Sequence, residues 1–302
     1  MPPTLKTYLE LCRLPAVFTA AADVSLGLAL TGRFTFTSGN VKWLAVGVIA
    51  SAGLYLGGMV LNDVLDRRRD AEERPSRPIP SGRVSPKAAL AFYAALTGGG
   101  LSAAALGGVV CLGTAAAVAA LVWLYDGPLK RTPLGPAAMG ACRVGNVLLG
   151  ASAGAASWAV IGEPRVWTAA LAMGVYVTGL TLFARTEAVR SARWRLASGV
   201  AVVNAGLAGV AVWSVRFGRM DAAQLLGLAV IAFILNRRLL AAVRDPSPGR
   251  VGPAVKQTLL AIPVLDAVLI AAAGGPPAVP WAMACAALIL PALFAGRVLK
   301  LT

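Results

Sequence analysis

The acidic residues of this 302-residue chain are concentrated in one charged segment. Five of the 13 acidic residues lie in Leu61–Gly82, LNDVLDRRRDAEERPSRPIPSG, mixed with arginines and flanked by stretches rich in Ala, Gly, Leu and Val. Asn62, Asp66 and Asp70 are spaced i, i+4 and i+8, which places three oxygen-bearing side chains on one face of a helix, about 6 Å apart. Asp63 lies beside this row. The spacing makes the segment a candidate cation site.

Like charges at this spacing repel each other, and a divalent cation would remove the repulsion. Mg²⁺ suits the row best, because it takes oxygen ligands and usually combines one or two carboxylates with substrate phosphate. The neighbouring arginines favour a metal that carries a polyanion, since guanidinium groups match phosphate oxygens. The segment therefore predicts a magnesium–diphosphate site. The alternative is that the arginines mark a cytoplasmic loop, with the acids capping a helix or pairing with arginine.

The elements that position this segment must cross a membrane. The chain is 58% hydrophobic and 14% charged, against about 25% charged residues in soluble domains. Apolar blocks of about twenty residues match the length of a helix that crosses a hydrocarbon core of about 30 Å. We predict an all-α, multi-span transmembrane helical bundle of nine or ten helices, forming one domain over residues 1–302. The predicted spans are 14–31, 42–62, 88–107, 109–125, 135–157, 166–184, 196–214, 222–241, 257–274 and 279–297.

The charge balance indicates topology rather than nucleic-acid binding. The net charge is +15, but bilayer-spanning chains carry Lys and Arg on their cytoplasmic side. With both termini in the cytoplasm, most of the 28 lysines and arginines lie on the inner side. We therefore predict a multi-pass protein of the cell (inner) membrane, with cytoplasmic loops at 63–87 and 185–195. Its four scattered cysteines and lack of histidine disfavour a disulfide framework, a thiolate metal site and a histidine base.

Two motifs carry a resemblance to a known family. NDVLDRRRD (62–70), followed by RPIPSG (77–82), resembles the first aspartate-rich motif of the UbiA superfamily of intramembrane prenyltransferases. YDGPLKRT (125–132) resembles that family's Tyr-x-x-x-Lys-Arg segment after the fourth span. The order of spans and loops agrees over most of the chain, and less clearly after about residue 240.

The resemblance implies a reaction and a set of roles. An isoprenyl diphosphate would bind with its diphosphate on Mg²⁺ and its tail between helices, the allylic C–O bond would ionise, and an aromatic or lipophilic acceptor would capture the cation. The implied metal ligands are Asn62, Asp66 and Asp70, supported by Asp63. The implied diphosphate-binding residues are Arg77, Lys130 and Arg131. Tyr125 would face the cation or the acceptor, so that the catalytic set is Asp66, Asp70 and Tyr125. The alternatives are a topological anchor for the Lys-Arg pair and an interfacial aromatic for Tyr125.

The second motif of the family is degenerate in this chain. In place of Asp-x-x-x-Asp after the sixth span, LFARTEAVRS (182–191) keeps one carboxylate, Glu187, and places Arg185 where an acid is expected. A second Mg²⁺ is therefore not expected, and Arg185 could neutralise the diphosphate directly. In the alternatives, Glu187 forms a salt bridge with Arg190 or Arg185, or the site binds a polyanion without ionising it.

The same region resembles a divergent UbiA branch, the EboC-like proteins. TLFARTEA (181–188) and TPLGPAAMGACR (132–143) carry this resemblance. That branch is associated with moving a secondary-metabolite precursor across the inner membrane. Prenyl transfer is thus our first hypothesis and metabolite handling or export the second, with a scaffold for soluble enzymes as a third.

Several polar residues lie at predicted membrane depth, where they usually face a cavity or a partner. They are Asp23, Arg143, Asn146, Asn204 and Asp266. Arg143 and Asn146 follow Lys130 on the next span and could line the acceptor pocket. The alternative for each is a buried interhelical hydrogen bond or ion pair.

Overall fold

The apolar blocks form α helices in the computed structural model, which describes residues 5–187 and 189–298. The α helices, in chain order, are α1 (Leu5–Cys12), α2 (Val17–Leu30), α3 (Ser38–Glu73), α4 (Pro86–Leu106), α5 (Val109–Leu124), α6 (Gly135–Ser152), α7 (Ala159–Gly162), α8 (Pro164–Ala184), α9 (Arg193–Arg216), α10 (Ala222–Arg244), α11 (Pro248–Leu260), α12 (Ile262–Gly274), α13 (Val279–Ala287) and α14 (Ile289–Val298). Two 3₁₀ turns (Leu14–Ala16 and Pro276–Ala278) and one π-helical turn (Tyr125–Leu129) complete the set. These ranges contain no strand, so the all-α prediction is confirmed.

Eight helical segments in the described ranges are long and apolar enough to cross a membrane, and a ninth is obtained if α1 and α2 form one bent span. These two helices meet at an angle of 49°. The prediction of nine or ten spans overlaps this count only at nine. The difference lies in α6, which occupies the predicted fifth span and is 18 residues long but is not apolar enough to be counted as a membrane span.

Helix α3 carries the acidic segment beyond the thickness of a membrane. It starts at Ser38, after Thr37, whose hydroxyl caps the helix by accepting from Asn40 N, and it continues for 36 residues. At 1.5 Å per residue this is about 54 Å, well over the roughly 30 Å of a hydrocarbon core. The loop predicted over 63–87 therefore begins only at residue 74, because the residues up to Glu73 are helical.

The loop after α3 folds back onto the helix that it leaves. Ile79 and Val84 are buried and pack with apolar residues of α1, α3 and α4. Gly82 adopts a left-handed φ of 75°, which permits the tight turn. Ser85 then caps α4, which has Pro86 in its first turn. This anchoring returns Arg77 to the surface of α3.

The centre of the bundle is formed by close helix pairs. The two longest stretches of contact are α8 against α9 and α3 against α4, and α6 lies between α2 and α8. A Cβ atom on Gly53 of α3 would lie 2.7 Å from Leu96 O of α4, so only glycine permits this approach. Trp213, Tyr176 and Phe183 are among the largest fully buried side chains. This packing holds the ends of α3, α5, α6 and α8 around one opening, the charged end of the bundle.

Candidate functional site

A cavity of about 650 Å³ lies at the charged end of the bundle. Its polar and charged lining residues are Arg13, Asn62, Asp66, Arg69, Asp70, Glu73, Arg74, Arg77, Tyr125, Lys130, Arg131, Thr181, Arg185 and Glu187. We call this the charged cavity. It brings together nine of the predicted site residues from four separate parts of the chain.

Two carboxylates of the first motif are paired with cations in the charged cavity. Asp66 accepts from Lys130 Nζ and, at 2.9 Å, from Arg131 Nη2. Asp70 accepts from Arg77 Nη1 at 2.6 Å. Each acid predicted to hold a metal therefore contacts a base predicted to hold diphosphate.

Asp63 lies beside the charged cavity and is not one of its lining residues, and its role as a metal ligand stays a prediction. The residue follows Asn62, and one step along an α helix turns the side chain by about 100°. Its Oδ1 accepts from Arg13 Nη2 at 2.7 Å and from Arg77 Nη1 at 3.3 Å. Asp63 therefore holds two arginines at the edge of the cavity.

Asn62 is oriented by an acid that the sequence analysis did not select. Its Nδ2 donates to Asp126 Oδ1 at 2.7 Å, and both residues are buried. Because a carboxylate only accepts hydrogen bonds, the amide nitrogen must face Asp126, which leaves the amide oxygen available to a cation. The only signal in the sequence was the position of Asp126 next to Tyr125.

The segment after α5 departs from the family pattern by one residue. Four residues separate Tyr125 from Lys130, whereas Tyr-x-x-x-Lys has three. The structure accommodates the extra residue in the π-helical turn, where Lys130 N donates to Tyr125 O at 2.8 Å. Single π turns often occur at functional sites. Here the turn places both Tyr125 and Lys130 on the wall of the charged cavity.

Arg185 and Glu187, from the degenerate second motif, also line the charged cavity. Arg185 Nη2 donates to Thr132 O at 2.9 Å. In the described ranges Glu187 forms no ion pair with Arg185 or Arg190, so the predicted salt bridge is not observed. Partial desolvation by the cavity wall raises the pKa of Glu187, and the positive charge of Arg74 opposes this shift.

Arg13 also lines the charged cavity, although no motif in the sequence singles it out from the other basic residues. Its φ of 45° and ψ of 49° are left-handed, and it is the one non-glycine residue with positive φ in the part of the chain described. Such a conformation costs about 1–2 kcal/mol. It persists because the chain bends by 49° here, between α1 and α2, and because the guanidinium reaches Asp63. Backbone strain of this kind is often found at functional sites.

The charged cavity has a surplus of positive charge, since seven basic and four acidic residues line it. Two of its arginines, Arg74 and Arg185, form no ion pair with any residue in 5–187 or 189–298. Unpaired guanidinium groups in a concave wall attract polyanions, and they bind phosphate oxygens in particular. The cavity is thus suited to a phosphorylated ligand.

Arg143 and Asn146 do not line the charged cavity, and the structure supports the alternative of a buried network. Arg143 is ion-paired with Asp23, and Asn146 Nδ2 donates to Asp23 Oδ2 at 2.8 Å. Ser51 Oγ donates to Asn146 Oδ1 at 2.6 Å. These contacts connect α2, α3 and α6 within the bundle.

The donor set of the first motif fits one Mg²⁺ that is shared with phosphate. Among the described residues no three Asp, Glu, Cys or His side chains form a metal cluster. Asp66 and Asp70 nevertheless supply two carboxylates in the charged cavity, and Asn62 adds an amide oxygen. Mg²⁺ is usually held by one or two carboxylates together with substrate phosphates, so these residues are sufficient only with an anionic ligand.

Comparison with protein families gives one extended match. Residues 16–250 match the UbiA prenyltransferase family. The Digeranylgeranylglyceryl phosphate synthase of Methanopyrus kandleri is 36% identical over 173 residues, which are 56% of this chain and 59% of that protein. The protein of the same name from Methanothrix thermoacetophila is 36% identical over 129 residues, 42% of this chain and 47% of its own length. The matched regions thus span about half of these relatives.

Solved structures share the fold. An apo UbiA homologue from Aeropyrum pernix K1 superposes with a TM-score of 0.66 at 22% identity, covering 84% of this chain and 96% of that chain. A UbiA homologue from Archaeoglobus fulgidus bound to GPP and Mg²⁺ gives a TM-score of 0.66 at 15% identity, covering 93% and 99%. At these identities the similarity establishes the arrangement of helices alone.

Proposed function

Because the chain belongs to the UbiA prenyltransferase family, we propose that it transfers an isoprenyl group from an isoprenyl diphosphate to a lipophilic acceptor, with Mg²⁺ as cofactor. The reaction breaks the allylic C–O bond and releases diphosphate. The named relatives support this class of reaction, and the Archaeoglobus fulgidus homologue bound to GPP and Mg²⁺ supports the choice of ligands.

One observation carries the proposal: each acid proposed to hold Mg²⁺ is paired with a base proposed to hold diphosphate. Asp66 pairs with Lys130 and Arg131, and Asp70 pairs with Arg77. A magnesium diphosphate presents the complementary charges, a cation to the acids and phosphate oxygens to the bases. Its binding would exchange three ion pairs within the protein for equivalent pairs with the ligand, so no charge is left unpaired.

The side chains of the charged cavity have distinct tasks in this proposal. Lys130, Arg131 and Arg77 bind the diphosphate and stabilise the negative charge that builds on it as the C–O bond breaks. Tyr125 lines the same wall, where it would face the allylic group or the acceptor. Met59 and Met139 provide apolar surface for the first carbons of the tail.

Asn62, Asp66 and Asp70 would hold Mg²⁺, and Asp126 would keep the amide oxygen of Asn62 directed toward it. When bound, the ion supplies further neutralisation of the leaving diphosphate. Asp63 acts indirectly, by holding Arg77 and Arg13.

Arg185 takes the position of an acid in the second motif and would contact the diphosphate itself. Arg185 lines the charged cavity and has no ion-pair partner among the residues described. A fixed positive charge here would substitute for a second metal ion. Glu187 lies two residues away and stays near Arg74.

The acceptor is a lipophilic molecule in this proposal, and an aromatic compound or a glyceryl phosphate ether are the two classes to test. The second class is supported by the name of the relatives, Digeranylgeranylglyceryl phosphate synthase. The surplus of arginines in the charged cavity would also accommodate an anionic head group. We place this site on the cytoplasmic side of the cell (inner) membrane, because most of the Lys and Arg residues lie at that end.

The test is turnover of allylic diphosphates of stepped chain length by the purified protein in lipid nanodiscs, with both acceptor classes. We expect diphosphate release that depends on Mg²⁺, is abolished by a chelator, and falls about 100-fold or more in Asp66→Asn and Asp70→Asn. Asp245→Asn is the matched control, because Asp245 is an exposed residue whose nearest base, Arg250, lies at 3.8 Å. If no allylic diphosphate is turned over with any acceptor, the proposal is wrong.

Export of a metabolite precursor, as in the EboC-like branch, stays a prediction that the described contacts do not test. It differs from prenyl transfer in one measurable respect. A transporter would move its solute even when Asp66 and Asp70 are replaced by asparagine, whereas the transferase would not form product. The scaffold hypothesis predicts that both substitutions are tolerated in every assay.

A further inference from the structure

Two carboxyl groups meet in the interior of the bundle, away from the charged cavity. Asp23 on α2 and Asp266 on α12 have no solvent exposure, and these two helices pack against each other. The two carboxyl groups are close enough to interact electrostatically. Carboxyl groups at membrane depth are costly, so a buried pair needs a physical explanation.

The charges around the pair do not balance if both acids are ionised. Asp23 Oδ2 is occupied by Arg143 and Asn146. Arg143 is the only cation that contacts the pair among the residues described, and one arginine neutralises one carboxylate. The second carboxylate would be an uncompensated charge in a medium of low dielectric constant, which is strongly unfavourable.

The hydrogen bonds show the same deficit. Asp23 Oδ1 and both side-chain oxygens of Asp266 are buried and find no donor in the part of the chain that is described. An ionised pair supplies acceptors only, whereas a protonated carboxyl group supplies one O–H donor. A single proton on the pair would provide the missing donor and remove the surplus charge together.

We propose that Asp23 and Asp266 form an intramembrane proton-binding site, which holds one proton between Asp266 and Asp23 Oδ1. With this proton the cluster of Asp23, Asp266 and Arg143 is electrically neutral, and Asn146 completes the hydrogen bonds of Asp23. The proton crosslinks α12 to the network of α2, α3 and α6. The inference holds whether or not the protein is a prenyltransferase.

Among the described residues, the other titratable groups near the pair are neutral side chains. Cys285 on α13 directs its Sγ to Ala22 O and Pro263 O, at 3.8 and 3.7 Å, and Tyr55 on α3 faces Arg143. Neither supplies a positive charge. The balance therefore depends on the proton and on Arg143 alone.

The site lies one helical turn beyond the charged cavity. Met139 of α6 lines that cavity, and Arg143 follows four residues later, about 6 Å along the helix. An unneutralised carboxylate at this distance would repel an anion bound in the cavity. The proton thus preserves the positive electrostatic potential of the charged cavity, and it also stabilises the packing of α12.

The first test is infrared spectroscopy of the protein labelled with ¹³C-aspartate, at neutral pH. The C=O stretch of a protonated carboxyl group is well separated from the carboxylate bands, so we expect one protonated aspartyl band in the parent protein. That band is lost in Asp266→Asn, because Asp23 then stays ionised beside Arg143, and it is retained in the exposed control Asp245→Asn. Absence of the band in the parent protein, or its survival in Asp266→Asn, overturns the proposal.

The second test is thermal unfolding across a pH series. Because the folded protein holds a proton that the unfolded chain releases above the ordinary aspartate pKa of about 3.9, the stability of the parent falls as the pH rises from there until the buried pair ionises. Asp266→Asn keeps an N–H donor to Asp23, so it retains the melting temperature at neutral pH and loses part of this pH dependence. Asp23→Asn removes the direct ion-pair partner that Arg143 has among the described residues, and it lowers the melting temperature by roughly 10 °C. If the parent and Asp266→Asn have the same pH profile, the proton is not bound at this site.

Discussion

Asn62 Nδ2 donates a 2.7 Å hydrogen bond to Asp126 Oδ1, which joins two motifs that are 64 residues apart in the chain. The bond fixes which end of the Asn62 amide faces the charged cavity. It also connects the last turns of α3 to the π-helical turn that carries Tyr125 and Lys130. A contact between two residues that do not react therefore sets the relative position of the proposed metal ligands and the proposed diphosphate ligands.

Replacement of Asp126 by alanine should weaken metal binding more than binding of the isoprenyl group. Without its acceptor the Asn62 amide is free to rotate, so its oxygen is no longer held toward the cation. We expect a loss of about 10–100-fold in apparent Mg²⁺ affinity, the usual effect of removing a group that orients a metal ligand. The measurement is the Mg²⁺ dependence of diphosphate release. Recovery of the rate at saturating Mg²⁺ would support the role of Asp126 in orienting the Asn62 amide. An unchanged dependence of the rate on Mg²⁺ concentration would contradict it.

Lys130 and Arg131 should contribute unequally, although both contact Asp66. The side chain of Lys130 is 25% exposed and that of Arg131 is 65% exposed, so solvent screens the arginine more strongly. We expect Lys130→Met to weaken binding of inorganic pyrophosphate by about 10-fold or more, and Arg131→Gln to weaken it by less than about 10-fold. Isothermal titration in the presence of Mg²⁺ distinguishes the two. Equal losses of affinity would show that burial does not determine how much these two residues contribute to pyrophosphate binding.

Arg185 should bind the leaving diphosphate directly. We expect Arg185→Gln to raise the dissociation constant for pyrophosphate about 10-fold, because a charge-assisted hydrogen bond contributes about 1.5–3 kcal/mol. Arg190→Gln is the matched control, since Arg190 is an exposed arginine of the same loop that does not line the charged cavity.

The metal content tests the same idea independently. If Arg185 substitutes for a second ion, Mn²⁺ titrated with pyrophosphate and followed by electron paramagnetic resonance should saturate at one ion per chain. Saturation at two ions per chain would show that a second metal binds despite the missing acids.

Glu187 should make a small contribution to the pH dependence of stability. Its pKa is raised in the folded protein, so the folded state favours the protonated carboxyl group. The associated stabilisation is complete below the unfolded pKa and is lost as the pH rises through the folded pKa. Compared with Glu187→Gln, the parent protein should therefore lose more thermal stability between acid and neutral pH. The opposite difference would mean that the positive charge of Arg74 has a larger effect on the pKa of Glu187 than desolvation has.

The left-handed backbone at Arg13 should make glycine preferable to alanine at this position. Both substitutions remove the ion pair with Asp63, but only glycine adopts a φ of 45° without a steric cost. We expect Arg13→Gly to exceed Arg13→Ala in stability by about 1 kcal/mol, or about 2–4 °C in melting temperature. Identical melting temperatures would indicate that the loop relaxes when the arginine is removed.

The helices and the face of the first motif were predictable from the sequence. The apolar blocks determined where the helices lie in the sequence, because only helical backbone satisfies its own hydrogen bonds in lipid. The i, i+4 spacing placed Asn62, Asp66 and Asp70 on one side of α3, because that geometry is local to a single helix. The boundary of α3 was harder to predict, since charged residues are equally compatible with a loop and with an extended helix.

The partners of these residues were decided by the tertiary structure. Asp66 contacts Lys130 across 64 residues, Asp23 contacts Arg143 across 120, and the neighbour of Asp23 on α12 lies further still along the chain. The sequence by itself determined which residues share a helix face and which segments enter the membrane. It did not determine which faces meet, because that choice depends on how the helices pack, and packing is settled by shape and by charge compensation among residues that are far apart in the chain.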